Sequence, residues 1–196
     1  MNPDAVNATL IPYPGTGNSA VEQLRVEIST PPAGGLHLRY LVTGDLTRLR
    51  LPPETEPARR DGLWRHTCCE AFIGTPDSPR YLEYNFAPSR HWASYAFRDY
   101  RAPAPEPTKA IAPLIVSEFT RNRLTLSATL PPAVLPAVIG AGSLLLGLAM
   151  VLEADDGCLS YWALTHTHAA ERPDFHHRTG FALRWPPGAN PLLPAV

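Results

Sequence analysis

The feature of this chain that most restricts its fold is a series of short segments in which apolar and polar side chains alternate. Clear examples are 21–28, 36–43 and 123–130. Successive side chains of a β-strand point to opposite faces, so alternation with period two is typical of a strand with one buried face. Helical periodicity is almost absent. Roughly ten such segments, at spacings of about 8–15 residues, predict an antiparallel all-β sandwich.

Turn signals join several of these segments into hairpins. The run Pro31-Pro32-Ala33-Gly34-Gly35 separates the first two, and Arg121-Asn122 separates 111–119 from 123–130. The apolar segment 144–153 is followed by Asp155-Asp156-Gly157, which predicts a tight turn back into 158–164. The 23 prolines stand almost entirely between these segments. This placement fits strands, because proline cannot donate a hydrogen bond inside a sheet.

The length of the chain fits one domain. A chain of 196 residues can bury a substantial core. We predict a single jelly-roll-like β-sandwich over 19–186. Residues 1–18 are expected to form an N-terminal arm or an edge strand, and 187–196 to form a proline-rich tail.

Charge and composition exclude some classes of partner. The chain has 17 basic and 18 acidic residues and no basic stripe, which argues against binding to nucleic acid. No apolar stretch reaches the roughly 18–20 residues needed to span a bilayer. The cysteine count of 3 is odd and the N-terminus lacks the pattern of a signal peptide. We therefore predict a cytoplasmic protein with no membrane partner.

Residues 81–98 read as two strands joined by a short turn. A four-residue turn at 87–90 would pair Asn85 with Trp92, and Glu83 with Ser94. Glu83, Asn85 and Trp92 would then share one face of the sheet. A carboxylate, an amide and a flat ring on a rigid sheet are suited to holding a polyhydroxylated ligand.

Two neighbouring stretches carry a family resemblance. The run Glu70-Ala71-Phe72-Ile73, preceded by Trp64, leads to Tyr81-Leu82-Glu83-Tyr84-Asn85-Phe86-Ala87-Pro88. This layout resembles the DOMON-like domains and, more remotely, the family-9 carbohydrate-binding modules. The later runs Ser160-Tyr161-Trp162-Ala163 and Pro173-Asp174-Phe175-His176 are similar to those of a bacterial DOMON-like subgroup. The likeness covers roughly residues 20–185.

The resemblance implies a jelly-roll-like sandwich with a non-catalytic, ligand-binding role. Relatives bind sugars through paired aromatic rings, or haem through axial methionine and histidine. The chain departs from the subgroup at Arg90, where a glycine is expected at the end of the turn. A left-handed backbone at that position carries a steric cost for arginine.

The predicted binding site combines ring stacking with hydrogen bonding. Trp92 would stack on the ligand with Trp64 or Trp162 opposite, while four polar side chains bond its hydroxyl groups: Glu70, Glu83, Asn85 and His176. The structural alternative is that the polar residues form cross-strand pairs on a solvated face. For Trp162 the alternative is plain core packing.

Metal and haem sites are also considered. His166, His168 and His177 are weak zinc candidates, because their spacing matches no strong zinc signature. Asp155-Asp156-Gly157 could bring carboxylates to calcium, although a hairpin turn explains the run as well. Haem would need an axial ligand such as Met150, which stands in an apolar strand where methionine usually fills the core. No resident cofactor is predicted.

The predicted function is non-catalytic binding of a small polar ligand, most simply a saccharide. One alternative is an interaction module without a small ligand, whose aromatic face forms a homodimer contact. Another is a metal-dependent enzyme using the histidines of 166–177. The pair Glu70 and Glu83 would also suit glycoside hydrolysis, but none of the surrounding cleft motifs is present in the sequence.

Overall fold

A computed structural model describes residues 5–16, 20–105, 110–135, 143–167 and 172–186. Within these ranges the chain forms 12 β-strands and short 3-10 turns, without an α-helix, which confirms the predicted all-β antiparallel class. No helix in these ranges is long and apolar enough to cross a membrane. The strands are β1 Val6–Pro12, β2 Val21–Ser29, β3 Leu36–Gly44, β4 Cys68–Thr75, β5 Ser78–Phe86, β6 Trp92–Asp99, β7 Ala102–Pro103, β8 Leu114–Phe119, β9 Arg123–Leu130, β10 Leu144–Glu153, β11 Leu159–Ala163 and β12 Leu183–Trp185.

The strands follow one continuous order, β7-β6-β5-β4-β10-β11-β1-β2-β3-β9-β8, and β12 pairs with β10 beside β11. Strand β1 connects the two halves of this sheet. Its residues 6–10 pair with β2, and its residues 11–12 pair with β11. The sheet therefore changes direction at β1, and its two halves can turn their apolar faces towards each other.

One core lies between the two halves. Leu38 and Tyr40 of β3 belong to the same buried cluster as Phe86 of β5 and Met150 of β10. The Tyr40 hydroxyl donates a hydrogen bond of 2.8 Å to the backbone carbonyl of Glu70 in β4. Because this bond joins opposite halves and is fully buried, it fixes their relative position as well as satisfying a polar group.

The position of β1 differs from the sequence prediction. Residues 1–18 were expected to form an arm or an edge strand, but β1 lies inside the sheet between β2 and β11. Residues 1–4 and 17–19 and the predicted tail at 187–196 lie outside the described ranges.

The hairpin of β5 and β6 is present, but its turn is shorter than predicted. Ala87 pairs with His91, so the loop is Pro88–Arg90, and the Arg90 N–H donates to the Ala87 carbonyl at 2.9 Å. Phe86 consequently lies opposite Trp92 instead of His91. The predicted four-residue turn was wrong by one residue, and such a slip moves every side chain of the second strand to the other face of the sheet.

The backbone of Arg90 is left-handed, with φ of 72°. This conformation costs a residue with a Cβ about 1–2 kcal/mol, whereas glycine adopts it freely. We expect Arg90→Gly to raise the free energy of unfolding by up to about 1 kcal/mol, because part of the gain is offset by greater freedom of the unfolded chain. The measurement is urea denaturation. Arg98→Gly, at an exposed and extended position of β6, is the matched control and should destabilise. A lower midpoint for Arg90→Gly would contradict the expectation.

Candidate functional site

The face of β4, β5, β6, β10 and β11 that points away from the core carries a cavity of about 380 Å³. We call it the outer face. The segment 173–181, which leads into β12, covers part of it. Side chains from five strands, from this segment and from two loops line the cavity: Trp64, Glu70, Glu83, Tyr95, Phe97, Arg101, Val151, Tyr161, Pro173, Phe175 and His176.

A second apolar cluster holds the segment 173–181 on the outer face. Phe175 and Phe181 of the segment pack with Phe72 of β4 and Tyr81 of β5. The Tyr81 ring stacks on Phe97 of β6, with centroids 4.7 Å apart and planes at 10°. Burial of these rings against the sheet gives the cavity a rigid aromatic floor beside its polar groups.

Two carboxyl groups line the cavity from neighbouring strands. Glu70 lies opposite Asn85, and Glu83 lies opposite Phe72, so the two glutamates are diagonal neighbours on the outer face. Burial, reinforced by the charge of Glu83, raises the pKa of Glu70 well above its usual range. Burial also raises the pKa of Glu83 to about 7, although Asn85 and Arg101 act in the opposite direction. The pair thus carries protons near neutral pH.

Asn85 connects this pair to the sheet. Its Nδ2 donates a hydrogen bond of 2.8 Å to Oε1 of Glu83. Its Oδ1 is buried and has no hydrogen-bond partner among the described residues. A buried acceptor without a donor is costly, and such groups are uncommon in native proteins.

His176 lies above the carboxyl pair as a neutral ring. Burial and the charge of Arg101 lower the pKa of His176 to about 4. The backbone N–H of Arg101 donates to the Tyr81 hydroxyl at 3.2 Å. This hydroxyl lies 2.8 Å from Nδ1 of His176. We assign the Tyr81 proton to the bond with Nδ1, which leaves the ring proton on Nε2, 3.6 Å from Oε2 of Glu83.

Asp174 anchors the start of the covering segment. It accepts hydrogen bonds from the Arg101 guanidinium at 2.9 Å and from the Tyr100 hydroxyl at 2.6 Å. Burial acts to raise its pKa, but these two bonds outweigh burial and lower the pKa below the usual value. The charge of Arg101 is therefore matched by an ionised Asp174.

Five of the predicted site residues come together here. Trp64, Glu70, Glu83 and His176 line the cavity, and Asn85 bonds Glu83 beside it. Trp64 is 42 % exposed at the mouth, in the short turn before β4.

The two other predicted tryptophans are placed differently. Trp92 is 7 % exposed and Trp162 is 6 % exposed, and both pack in the core on the opposite face of the sheet. For Trp92 the reason is the one-residue difference in register. Trp162 donates its indole N–H to Ser160 at 3.1 Å within the core. The predicted clamp of Trp92 with Trp64 or Trp162 was therefore wrong.

The histidines considered for zinc are held in separate contacts. His166 Nε2 lies 2.9 Å from the Ile11 carbonyl, and His177 Nδ1 lies 2.8 Å from the Thr179 hydroxyl. His168 lies outside the described ranges. In the part of the chain that the structure describes, no three histidine, cysteine, aspartate or glutamate side chains are grouped as a metal site would require.

The residues considered for calcium and haem have local structural roles. Asp156 accepts a hydrogen bond of 2.8 Å from the Cys158 N–H, as expected for the turn between β10 and β11. Met150 is fully buried in the core, on the face opposite to the cavity.

Several aromatic and basic residues of the cavity were missed in the sequence. Tyr95 and Phe97 share the face of Glu83 because Glu83 pairs with Tyr95. The correct turn length would have revealed both. Tyr161 and Arg101 reach the cavity from β11 and from the loop before β7, and no local sequence signal places them there.

Comparison of the chain with protein-family models, with curated proteins and with solved structures finds no match. The DOMON-like resemblance therefore remains a prediction based on the sequence runs themselves.

Proposed function

We propose that this protein is a non-catalytic ligand-binding domain that holds a sugar or sugar derivative in the outer-face cavity. The observation that carries the proposal is the carboxyl pair of Glu70 and Glu83 set among aromatic walls. Hydroxyl groups of a sugar both donate and accept hydrogen bonds, and the apolar face of a sugar ring packs on an aromatic ring.

The aromatic side of the cavity supports ring packing. Trp64 and Tyr95 meet edge to face, with centroids 6.1 Å apart, and Trp64 keeps much of its surface exposed. An exposed indole held by a neighbouring ring is prepared to accept a ligand without a large loss of side-chain freedom. Trp64 thus replaces Trp92 as the proposed stacking residue.

The ionisation of the carboxyl pair supports binding over hydrolysis. A retaining glycosidase needs one carboxylate that is ionised and acts as nucleophile beside a protonated acid. Here burial raises the pKa of both Glu70 and Glu83, so that Glu83, with a pKa of about 7, is only partly ionised at neutral pH. Protonated carboxyl groups instead serve as hydrogen-bond donors and acceptors for hydroxyl groups.

A thermal-shift screen tests the proposal. The panel contains neutral sugars, amino sugars, nucleotide sugars, hemin, calcium and zinc. A ligand of the folded state raises the melting temperature by mass action, so one class of sugar should raise it. Trp64→Ala should weaken that ligand about tenfold, which corresponds to about 1.4 kcal/mol. Phe119→Ala is the matched control, because Phe119 is an exposed ring on β8, in the other half of the sheet.

Other outcomes of the screen would contradict the proposal. A shift with hemin or zinc alone would favour a haem or metal protein. A flat screen at millimolar sugar would favour the interaction module. An equal loss of binding in Trp64→Ala and Phe119→Ala would remove the cavity as the site.

A further inference from the structure

The oxygens of Glu70, Glu83 and Asn85 are not all matched by donors among the described residues. Glu83 Oε1 accepts from Asn85, while Oε2 lies 3.6 Å from His176 Nε2, beyond ordinary hydrogen-bond distance. Asn85 Oδ1 is buried without a donor among the described residues. Glu70 adds a second buried carboxyl group. Its pKa is shifted by burial and by the charges of Glu83 and Arg101. These groups require donors from outside the protein, or protons.

Two basic side chains, Arg101 and His176, line the cavity, and neither brings a free positive charge to the carboxyl pair. The Arg101 guanidinium is bonded to Asp174 at 2.9 Å, and Tyr100 donates to the same carboxylate. His176 is neutral at ordinary pH, because burial lowers its pKa. A ligand that brings a positive charge would therefore compensate the two glutamates without displacing a charge of the protein.

The spacing of the acceptors fits one small cationic group. Glu70 and Asn85 are directly opposite on β4 and β5, and Glu83 stands two residues from Asn85 on the same face. Side chains in such positions are separated by about 5–8 Å at Cβ, so their polar ends can converge on one atom. An ammonium group has three donors and no acceptor, which suits the carboxyl oxygens of Glu70 and Glu83 that line the cavity.

We propose that the ligand carries a protonated amine, as an amino sugar does, and that Glu70 and Glu83 hold its ammonium group, while Asn85 orients Glu83 through its Nδ2. The inference rests on the proposed function for the sugar part, whereas the ammonium site stands on the acceptor cluster itself. The amine binds with its positive charge, each carboxylic acid that ionises beside it releases one proton to solvent, and no covalent bond changes.

Isothermal titration calorimetry at pH 6.5 with glucosamine, N-acetylglucosamine and glucose tests the proposal. Acetylation removes the charge and keeps the ring, so it separates charge from shape. We expect glucosamine to bind at least tenfold more tightly than the two neutral sugars. Titrations in two buffers of different ionisation enthalpy should show net proton release for glucosamine and none for glucose.

Two single substitutions test whether Glu70 is responsible for the preference for glucosamine and for the proton release. Glu70→Gln should reduce the ratio of glucosamine to glucose affinity at least fivefold and reduce proton release. Glu27→Gln is the matched control, because this carboxylate lies on β2, where it pairs with Arg39 at 2.9 Å. It should keep both the ratio and the release. Circular dichroism confirms that each variant is folded before titration.

The outcomes separate this inference from the proposed function. Equal affinities for the three sugars, without proton release, would overturn the ammonium site and leave sugar binding intact. Binding of cyclohexylamine but of no sugar would overturn the proposed function and support the ammonium site. Failure of all sugars and of cyclohexylamine would overturn both.

Discussion

Replacing Trp92 with alanine is expected to lower the free energy of unfolding by about 3–5 kcal/mol, the range found when a buried aromatic residue is truncated. Trp92 is 7 % exposed and packs in the core that the two halves of the sheet share. Its removal leaves a cavity next to Phe86, its partner across the hairpin. Chemical denaturation monitored by far-UV circular dichroism measures the loss.

Trp64→Ala is the comparison for this experiment. Trp64 is 42 % exposed and lies outside the core cluster, so its truncation should change the free energy of unfolding by less than about 1 kcal/mol. The two variants should thus separate stability from binding. A stable Trp92→Ala protein that has lost its ligand would contradict the register described here and return Trp92 to the binding face.

The sequence predicted most strands, because alternation and turn residues are local signals. The hairpins of β2 with β3, β8 with β9 and β10 with β11 are all confirmed. The register of β5 with β6 depends on a left-handed residue in the loop, and Arg90 occupies that place instead of glycine. Without the usual glycine, nothing in the sequence distinguishes the two loop lengths.

From the sequence, only those residues of the candidate site that lie on consecutive, directly paired strands could be predicted. Glu70 and Glu83 share a face because β4 and β5 are consecutive and pair directly. The pairing of β4 with β10, which brings β11 and Tyr161 to the cavity, joins segments far apart in the chain. Phe175 arrives on a segment that belongs to no strand and is held by tertiary packing and side-chain hydrogen bonds. The alternation of apolar and polar residues shows which face of a strand a side chain occupies. It does not show which other strand lies beside that strand.

The second large effect is expected in the way that the free energy of unfolding depends on pH. We expect Glu83→Gln to gain stability relative to the unsubstituted protein as the pH rises from 5 to 8. The pKa of Glu83 is about 7 in the folded chain, against a usual value of 4.5. The folded state therefore binds more protons than the unfolded state in this window, and stability falls as the pH rises. At about 1.4 kcal/mol for each pH unit, the difference reaches roughly 3 kcal/mol.

Glu83→Gln must be compared with the unsubstituted protein because the shifted pKa of His176 changes stability with pH in the direction opposite to that of Glu83. Its pKa is lowered from 6.5 to about 4, so its contribution to stability is lost as the pH falls through that range. In the unsubstituted protein this partly cancels the effect of Glu83 below about pH 6.5. Both proteins retain His176 and Arg101, so the difference between them reports Glu83 together with the change that its charge makes in the pKa of Glu70.

Urea denaturation at half-unit pH steps measures this difference. Glutamine keeps an oxygen that can accept from Asn85 Nδ2, so Glu83→Gln preserves the hydrogen bond now formed at 2.8 Å while removing the charge. Glu27→Gln, which alters a partly exposed carboxylate on β2, should run parallel to the unsubstituted protein across the range. Parallel profiles for Glu83→Gln as well would show that Glu83 ionises normally in the folded chain. The cavity would then hold an ordinary carboxylate, and proton release on binding an amine would have to come from Glu70 alone.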